Sequence, residues 1–176
     1  GLVNSVAGMG VETSGVRQIA EANASGDEDK IARTIITLRR TALFTGMFGL
    51  VILVALSYPL SLFTFGDSKH VMELILLSVT ILFTAVTGGQ TALIQGLQRI
   101  RDLALLSILG AVWGTVFSIP IVYYFGEKGI VIFLIVVSAM ALVTSWWFSR
   151  KIKVPAVSMS FSETLLYLKP LLKLGM

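Results

Sequence analysis

The chain has 176 residues, the length of one ordinary domain, of which 55% are hydrophobic and 14% are charged, against about 25% charged in a typical soluble domain. This composition excludes most soluble proteins and disordered chains, and the absence of cysteine excludes disulfide frameworks, zinc–thiolate sites and thiol catalysis. The net charge of +4 leaves nucleic acid, a membrane surface and acidic substrates open as partners until the basic residues are placed. Because the chain begins with Gly1 and stops at Met176 inside an apolar run, we expect a piece of a longer protein.

The N-terminal stretch, residues 1–22, carries four glycines among apolar residues and is interpreted as the end of a truncated membrane helix. Arg17 lies about 8 Å from the expected end of that helix, and Glu12 lies deeper. A charge inside a span is costly and commonly functional, so both are candidate substrate-binding residues. Glu12 is the candidate for a proton-linked carboxylate or an ion ligand. The alternative for Arg17 is a structural pair with Glu21, four residues along the helix.

Residues 23–41 predict a cytoplasmic basic helix that leads into the first full span. Ser25 and Glu28 have the spacing of a capping box, in which Ser25 caps the helix and Glu28 reaches back to it. Arg39 and Arg40 end this helix. The simplest interpretation is that these two arginines lie on the cytoplasmic side of the membrane under the positive-inside rule.

Four apolar segments follow, each long enough to cross a hydrocarbon core of about 30 Å, which takes about 20 helical residues. They comprise residues 42–65, 71–93, 103–125 and 129–148. None has the charged face of a soluble amphipathic helix, since only Glu73 intrudes near one end. An open chain satisfies its backbone in lipid only as helices. The sequence therefore predicts an all-α fold, a polytopic bundle with antiparallel neighbours, and residues 149–176 predict a cytoplasmic linker and the start of a further span.

The basic residues orient this bundle. Of the fourteen Lys and Arg residues, only Lys69 and Lys128 fall in loops on the less basic side. By the positive-inside rule, the strongly basic side is cytoplasmic. Nucleic acid is therefore not an expected partner, because the basic residues form separate juxtamembrane clusters.

The second span carries a row of polar residues at spacings of four, three, four, four and three, which places them on one helical face. The row comprises Thr80, Thr84, Thr87, Thr91, Gln95 and Gln98. Two interpretations stay open. The row either bonds the helix to its neighbours, since Thr hydroxyls bond the preceding turn or an adjacent helix, or it forms one wall of a hydrophilic pathway.

The third span has a face of small residues that includes Gly110 and Gly114. Two small residues four apart allow close approach of helix backbones. We therefore expect this face to pack against another helix rather than to act directly in function.

No catalytic, metal or cofactor motif accompanies the spans. His70 is alone in a loop, and Gly8-Met9-Gly10 lacks the rest of a dinucleotide fingerprint. Neither a paired acidic motif, a Ser/His/Asp set nor a phosphate loop is present. The sequence therefore does not predict an enzyme, a catalytic residue or a cofactor.

Several segments resemble one family of transporters. The sequence GVETSGVRQIAE of residues 10–21 looks like the end of the second transmembrane helix of Wzx-type polysaccharide flippases, in the multidrug/oligosaccharidyl-lipid/polysaccharide exporter superfamily. The acidic turn 26–29 and the segments 88–90 and 95–97 are also similar to O-antigen translocases. The resemblance covers nearly the whole chain. It would make the four spans helices three to six of a protein with two six-helix lobes, of which the second is absent here, and with both termini cytoplasmic.

The resemblance implies translocation of an undecaprenyl-pyrophosphate-linked oligosaccharide, an O-antigen or related unit, across the bacterial inner membrane by alternating access. Arg17 matches the basic position of the family and would bind the pyrophosphate. Arg39 and Arg40 would attract the anionic headgroup at the cytoplasmic entrance. The sugar path would be lined by Thr84, Thr87, Thr91 and Gln95. The expected partners are the lipid-linked oligosaccharide, membrane lipids and a coupling ion, either a proton or sodium.

Three alternatives stay open from the residues. A drug or metabolite cation antiporter of the same superfamily would use Glu12 as its acidic site. A membrane-embedded glycosyl- or acyltransferase would need a histidine or paired carboxylates at an interface, and none is found in the sequence. A non-transporting scaffold is opposed only by the polar row of the second span.

Overall fold

The computed structural model describes residues 15–67, 70–126 and 129–152, and every regular element in these ranges is a helix. The helices are α1 at residues 15–25, α2 at Glu28–Phe65, α3 at Val71–Gly96, α4 at Ile100–Phe125 and α5 at Gly129–Arg150. The last four are long and apolar enough to cross a membrane, which confirms the predicted all-α polytopic bundle. Glu12 and the predicted linker and further span in residues 153–176 lie outside the described residues.

The junction between α1 and α2 differs from the predicted capping box. Ser25 still belongs to α1, where its hydroxyl donates to the carbonyl oxygen of Ala22 at 2.7 Å. Gly26 follows with a φ of 67°, and Asp27 then caps α2 by accepting hydrogen bonds from two backbone amides of the first turn. The prediction for Ser25 was wrong because a carboxylate beside the positive end of a helix is the stronger acceptor.

Helix α2 is continuous over 38 residues, about 57 Å at 1.5 Å per residue, so its N-terminal part extends beyond a hydrocarbon core of about 30 Å. That part carries the buried core of the described chain. Ile35 and Leu38 of α2 pack there with Ile19 of α1 and Leu93 of α3. The core therefore ties three helices together at one end of the bundle.

Helices α2 and α3 are antiparallel and approach closely at glycines. A Cβ atom added to Gly89 of α3 would lie 2.6 Å from the Cβ of Ala42 in α2, and one added to Gly49 of α2 would lie 2.9 Å from Ile81 of α3. Contacting residues therefore have rising numbers along α2 and falling numbers along α3, as in antiparallel helices. Glycine at these positions lets the two helices pack closely, as small residues do between membrane helices.

Helix α4 lies at the margin of the described bundle. It has no buried residue, and α5 packs against both α3 and α4. Apart from the chain neighbours and the nearby backbone of α4 itself, no atom of the described chain lies within 4 Å of a Cβ added to Gly110 or Gly114. The expected packing of this small-residue face against another helix is therefore not met within the described bundle, whose glycine contacts lie between α2 and α3 instead.

The alternating directions of the helices bring all described basic residues to one end. The N-terminal parts of α2 and α4 and the C-terminal ends of α3 and α5 meet there, and every Lys and Arg in the described ranges lies at this end. We call it the basic end. Lys69 and Lys128, which the sequence assigns to the opposite side, lie outside the described residues.

Replacing Gly89 by alanine is expected to destabilise the protein by about 1–3 kcal/mol, because the new methyl group would overlap that of Ala42. Gly110→Ala is the matched control, since that position is open and alanine favours a helix by roughly 0.5–1 kcal/mol over glycine. Thermal unfolding of the purified protein in detergent, followed by circular dichroism, measures both. Equal effects of the two substitutions would contradict the α2–α3 contact.

Candidate functional site

Arg17 lies on the exposed side of α1, with 63% of its side chain accessible. Its Nε donates to Oε1 of Glu21 at 3.3 Å, so the predicted pairing of these residues is confirmed. The opposite side of α1 packs on the end of α3, where a Cβ added to Gly96 would lie 2.7 Å from the Cβ of Ile19. This contact brings α1 to the turn of α3 that carries Gln95, which is also exposed.

The polar row of α3 is partly satisfied by its own helix. The hydroxyl of Thr84 donates to the carbonyl of Thr80 at 2.7 Å, and the hydroxyl of Thr80 donates to a carbonyl one turn earlier at 2.6 Å. Thr91 is half-buried. The hydroxyl of Thr87 is buried and finds no hydrogen-bond partner among the described residues.

This row lies on the side of α3 that faces away from α2. Gly89 marks the side that contacts α2, and at about 100° per residue Thr87 and Thr91 lie about 160° around the helix from it. The row is therefore not used in the α2–α3 contact. The row is exposed at Thr84, Gln95 and Gln98, which can hydrogen-bond a solute, and Arg17 is an exposed cation on the neighbouring helix.

Arg39 makes a contact with α5 that its place in the sequence does not predict. Its Nη2 donates to the hydroxyl of Ser149 at 2.6 Å and to the carbonyl oxygen of Ser149 at 3.3 Å. That carbonyl belongs to the last turn of α5, where carbonyl groups lack partners within the helix and a cation is favourable. Arg39 thus joins α2 to the end of α5. Arg40, the other predicted headgroup residue, is half-buried on the same turn of α2.

A second buried contact joins α3 to α5. The hydroxyl of Ser145 donates to Oε1 of Gln90 at 2.6 Å, and Ser145 is completely buried. Ser145 and Ser149 are one helical turn apart, so both bonds lie on the same face of α5. We call the set Gln90, Ser145, Arg39 and Ser149 the polar seam. The sequence features that could have indicated these bonds are the amide of Gln90 in one span and the two serines, four residues apart, in another.

A groove of about 190 Å³ lies beside the polar seam, between α2 and α5. Arg39, Gln90 and Ser149 form part of its lining, together with Trp146 and Arg150 of α5. The guanidinium of Arg150 lies 5.2 Å from the centre of the Trp146 ring, within the range of a cation–π contact. None of the described residues that line the groove is acidic, so its charge is positive.

Ser145→Ala is expected to lower the free energy of unfolding by about 1 kcal/mol, because it leaves the amide oxygen of Gln90 buried without this donor. Ser138→Ala in the same helix is the control, since that hydroxyl bonds only the carbonyl of Leu134 in its own helix. We expect the control to change stability by less than about 0.5 kcal/mol. Denaturant titration in mixed micelles measures both, and a control as destabilised as the test variant would argue against the interhelical bond.

The comparisons with known proteins place the chain in a family. Residues 1–176, the whole chain, match the family described as Polysaccharide biosynthesis protein. Neither the curated proteins nor the solved structures give a match. The family match agrees with the resemblance carried by residues 10–21 and with the four helices of membrane-spanning length. The chain is therefore a multi-pass membrane protein, and it belongs to the polysaccharide biosynthesis protein family.

Proposed function

We propose that the protein is a flippase that moves an undecaprenyl-pyrophosphate-linked oligosaccharide, an O-antigen or related unit, across the bacterial inner membrane. The observation that carries this proposal is the polar row of α3, which lies outside the α2–α3 contact and ends at the turn of α3 on which α1, the helix of the exposed Arg17, packs. A sugar linked to pyrophosphate needs both features, a cation for the phosphates and polar walls for the sugar. The activity is transport, with no covalent step and no cofactor.

Arg17 is the proposed ligand of the pyrophosphate. Its planar guanidinium can donate two parallel hydrogen bonds to phosphate oxygens. Its present partner, Glu21, is an exposed carboxylate, and an exposed ion pair contributes little free energy. The guanidinium can therefore exchange this carboxylate for a phosphate at small cost. Glu12 is proposed to bind the coupling ion, a proton or sodium.

The walls of the sugar path are proposed to be the polar side chains of α3. The row offers hydroxyl and amide groups along one face of the helix and is exposed at Thr84 and Gln95. The hydroxyl of Thr87 has no hydrogen bond within the described chain, and it is buried, so it would meet a sugar only once it is uncovered. Sugar hydroxyls both donate and accept, so they match such a surface. The proposed wall comprises Thr84, Thr87, Thr91 and Gln95.

The direction of transport follows from the basic end. If that end is cytoplasmic, as the positive-inside rule requires, Arg17 lies where the substrate is loaded. Arg39 and Arg40, at the same end, are proposed to attract the anionic headgroup toward the bundle. Alternating access would then carry the sugar along the row of α3 to the other side.

Arg17→Gln is expected to reduce export by about tenfold or more, because it removes a charged hydrogen bond to phosphate worth roughly 1.5–3 kcal/mol. Accumulation of the lipid-linked oligosaccharide and the amount of surface polysaccharide, measured in cells that depend on this protein, report the effect. Arg17→Lys keeps the charge but loses the planar fork, so we expect an intermediate loss.

Glu21→Gln is the matched control, because it breaks the same ion pair and leaves Arg17 in place. We expect export to change by less than about threefold, as for an exposed pair. If Arg17→Gln and Glu21→Gln lose export equally at equal protein levels, the role of Arg17 is structural and the proposed phosphate contact is contradicted. Full export by Arg17→Gln together with loss of cationic-drug efflux by Glu12→Gln would favour the antiporter instead.

A further inference from the structure

The groove between α2 and α5 lies apart from the proposed sugar path, and it shares only Arg39 with the proposed entrance for the headgroup. Its lining includes Gly89 and Gln90, whereas the polar row of α3 lies about 160° around that helix from Gly89. The groove and the row are therefore separate surfaces of the described bundle. A ligand in the groove would touch α2 and α5 without entering the path.

The groove has a polar base and an apolar rim. Gln90 and Ser149 are buried at its base, where Ser149 holds the guanidinium of Arg39. At the rim, Leu43 is 53% exposed and Trp146 is 50% exposed. These large apolar side chains stand on the outside of the described bundle, so the groove opens sideways from it. Its shape suits an amphiphile whose polar group enters and whose chains stay outside.

The charge of the groove selects an anion. Arg39 is fixed by its bonds to Ser149, which use Nη2 only, and its Nε and Nη1 make no hydrogen bond to any described residue. Arg150 stands at the rim over the Trp146 ring. Two guanidinium groups with no acidic side chain in the described lining match a phosphate group.

We propose that this groove binds the phosphate of an anionic phospholipid, with the acyl chains lying along Leu43 and Trp146. Basic pockets between transmembrane helices are sites of this kind. A phospholipid is a better match for the groove than free phosphate is, because the rim of the groove is apolar and exposed. The site includes neither Arg17 nor the polar row of α3, and a lipid bound there would contact Arg39, whose guanidinium bonds Ser149.

The test uses the intact protein with Trp146 kept as its only tryptophan, reconstituted in phosphatidylcholine vesicles. Trp113 and Trp147 are replaced by phenylalanine. Quenching of Trp146 by brominated phosphatidylglycerol is compared with quenching by brominated phosphatidylcholine. We expect about a fivefold preference for the anionic lipid, and Arg150→Gln, at an exposed position where folding is not at risk, is expected to remove most of it.

Arg101→Gln is the matched control, since Arg101 is exposed at the same basic end and does not line the groove. We expect it to keep the preference, and equal loss in both variants would reduce the effect to general surface charge and overturn the proposal. Equal quenching by the two lipids in the unmodified groove would also overturn it. If inorganic phosphate displaces the lipid more strongly than chloride does at equal ionic strength, the groove is a site for free phosphate instead. Because no transport is measured, failure here leaves the flippase proposal untouched.

Discussion

The close approach of α2 and α3 at Gly89 fixes the directions in which the polar side chains of α3 point. In lipid, helices gain little from burying apolar side chains against each other, so small residues and polar contacts decide how they pack. Once Gly89 faces Ala42, the geometry of a helix turns the next residue, Gln90, toward α5 and leaves the threonine row on the far side. One glycine contact thus separates the face of α3 that packs on α2 from the face that carries the threonine row.

The hydrogen bonds of the polar seam likewise determine how α5 packs against α2 and α3. Ser145 bonds to α3 and Ser149 bonds to α2, and the two serines are one turn apart. Two bonds to two different helices fix both the rotation of α5 and its height along its neighbours. The bond at the end of α5 also adds a charged donor to the carbonyl of Ser149, which accepts from the backbone amide of Ile152 at 3.3 Å as well. Arg39 therefore serves packing as well as charge, which a count of basic residues does not reveal.

The features that could be predicted from the sequence are those set by local composition or by neighbours along one helix. Apolar runs locate the four spans, and a spacing of four pairs Arg17 with Glu21. The cap at Asp27 was missed because two acceptors competed within three residues. The bonds of the polar seam join residues 55 and 110 positions apart, and they depend on how whole helices rotate against each other. The spacing of residues along one helix does not determine that rotation. For the same reason, the small residues of α4 predicted a close helix contact, whereas the close glycine contacts of the described bundle lie between α2 and α3.

The basic end combines charge with the only extensive core of the described chain, and this combination bears on the proposed transport cycle. Ile19, Leu38 and Leu93 hold α1, α2 and α3 together at that end, whereas most of α2 beyond Ala42 is exposed. Arg17 and the row of α3 are therefore carried by helices that share one buried cluster. Alternating access by rocking of a lobe requires its binding groups to keep their relative positions while the lobe moves. A core beneath Arg17 meets that requirement, because α1 and α3 cannot separate there without exposing the apolar side chains that join them.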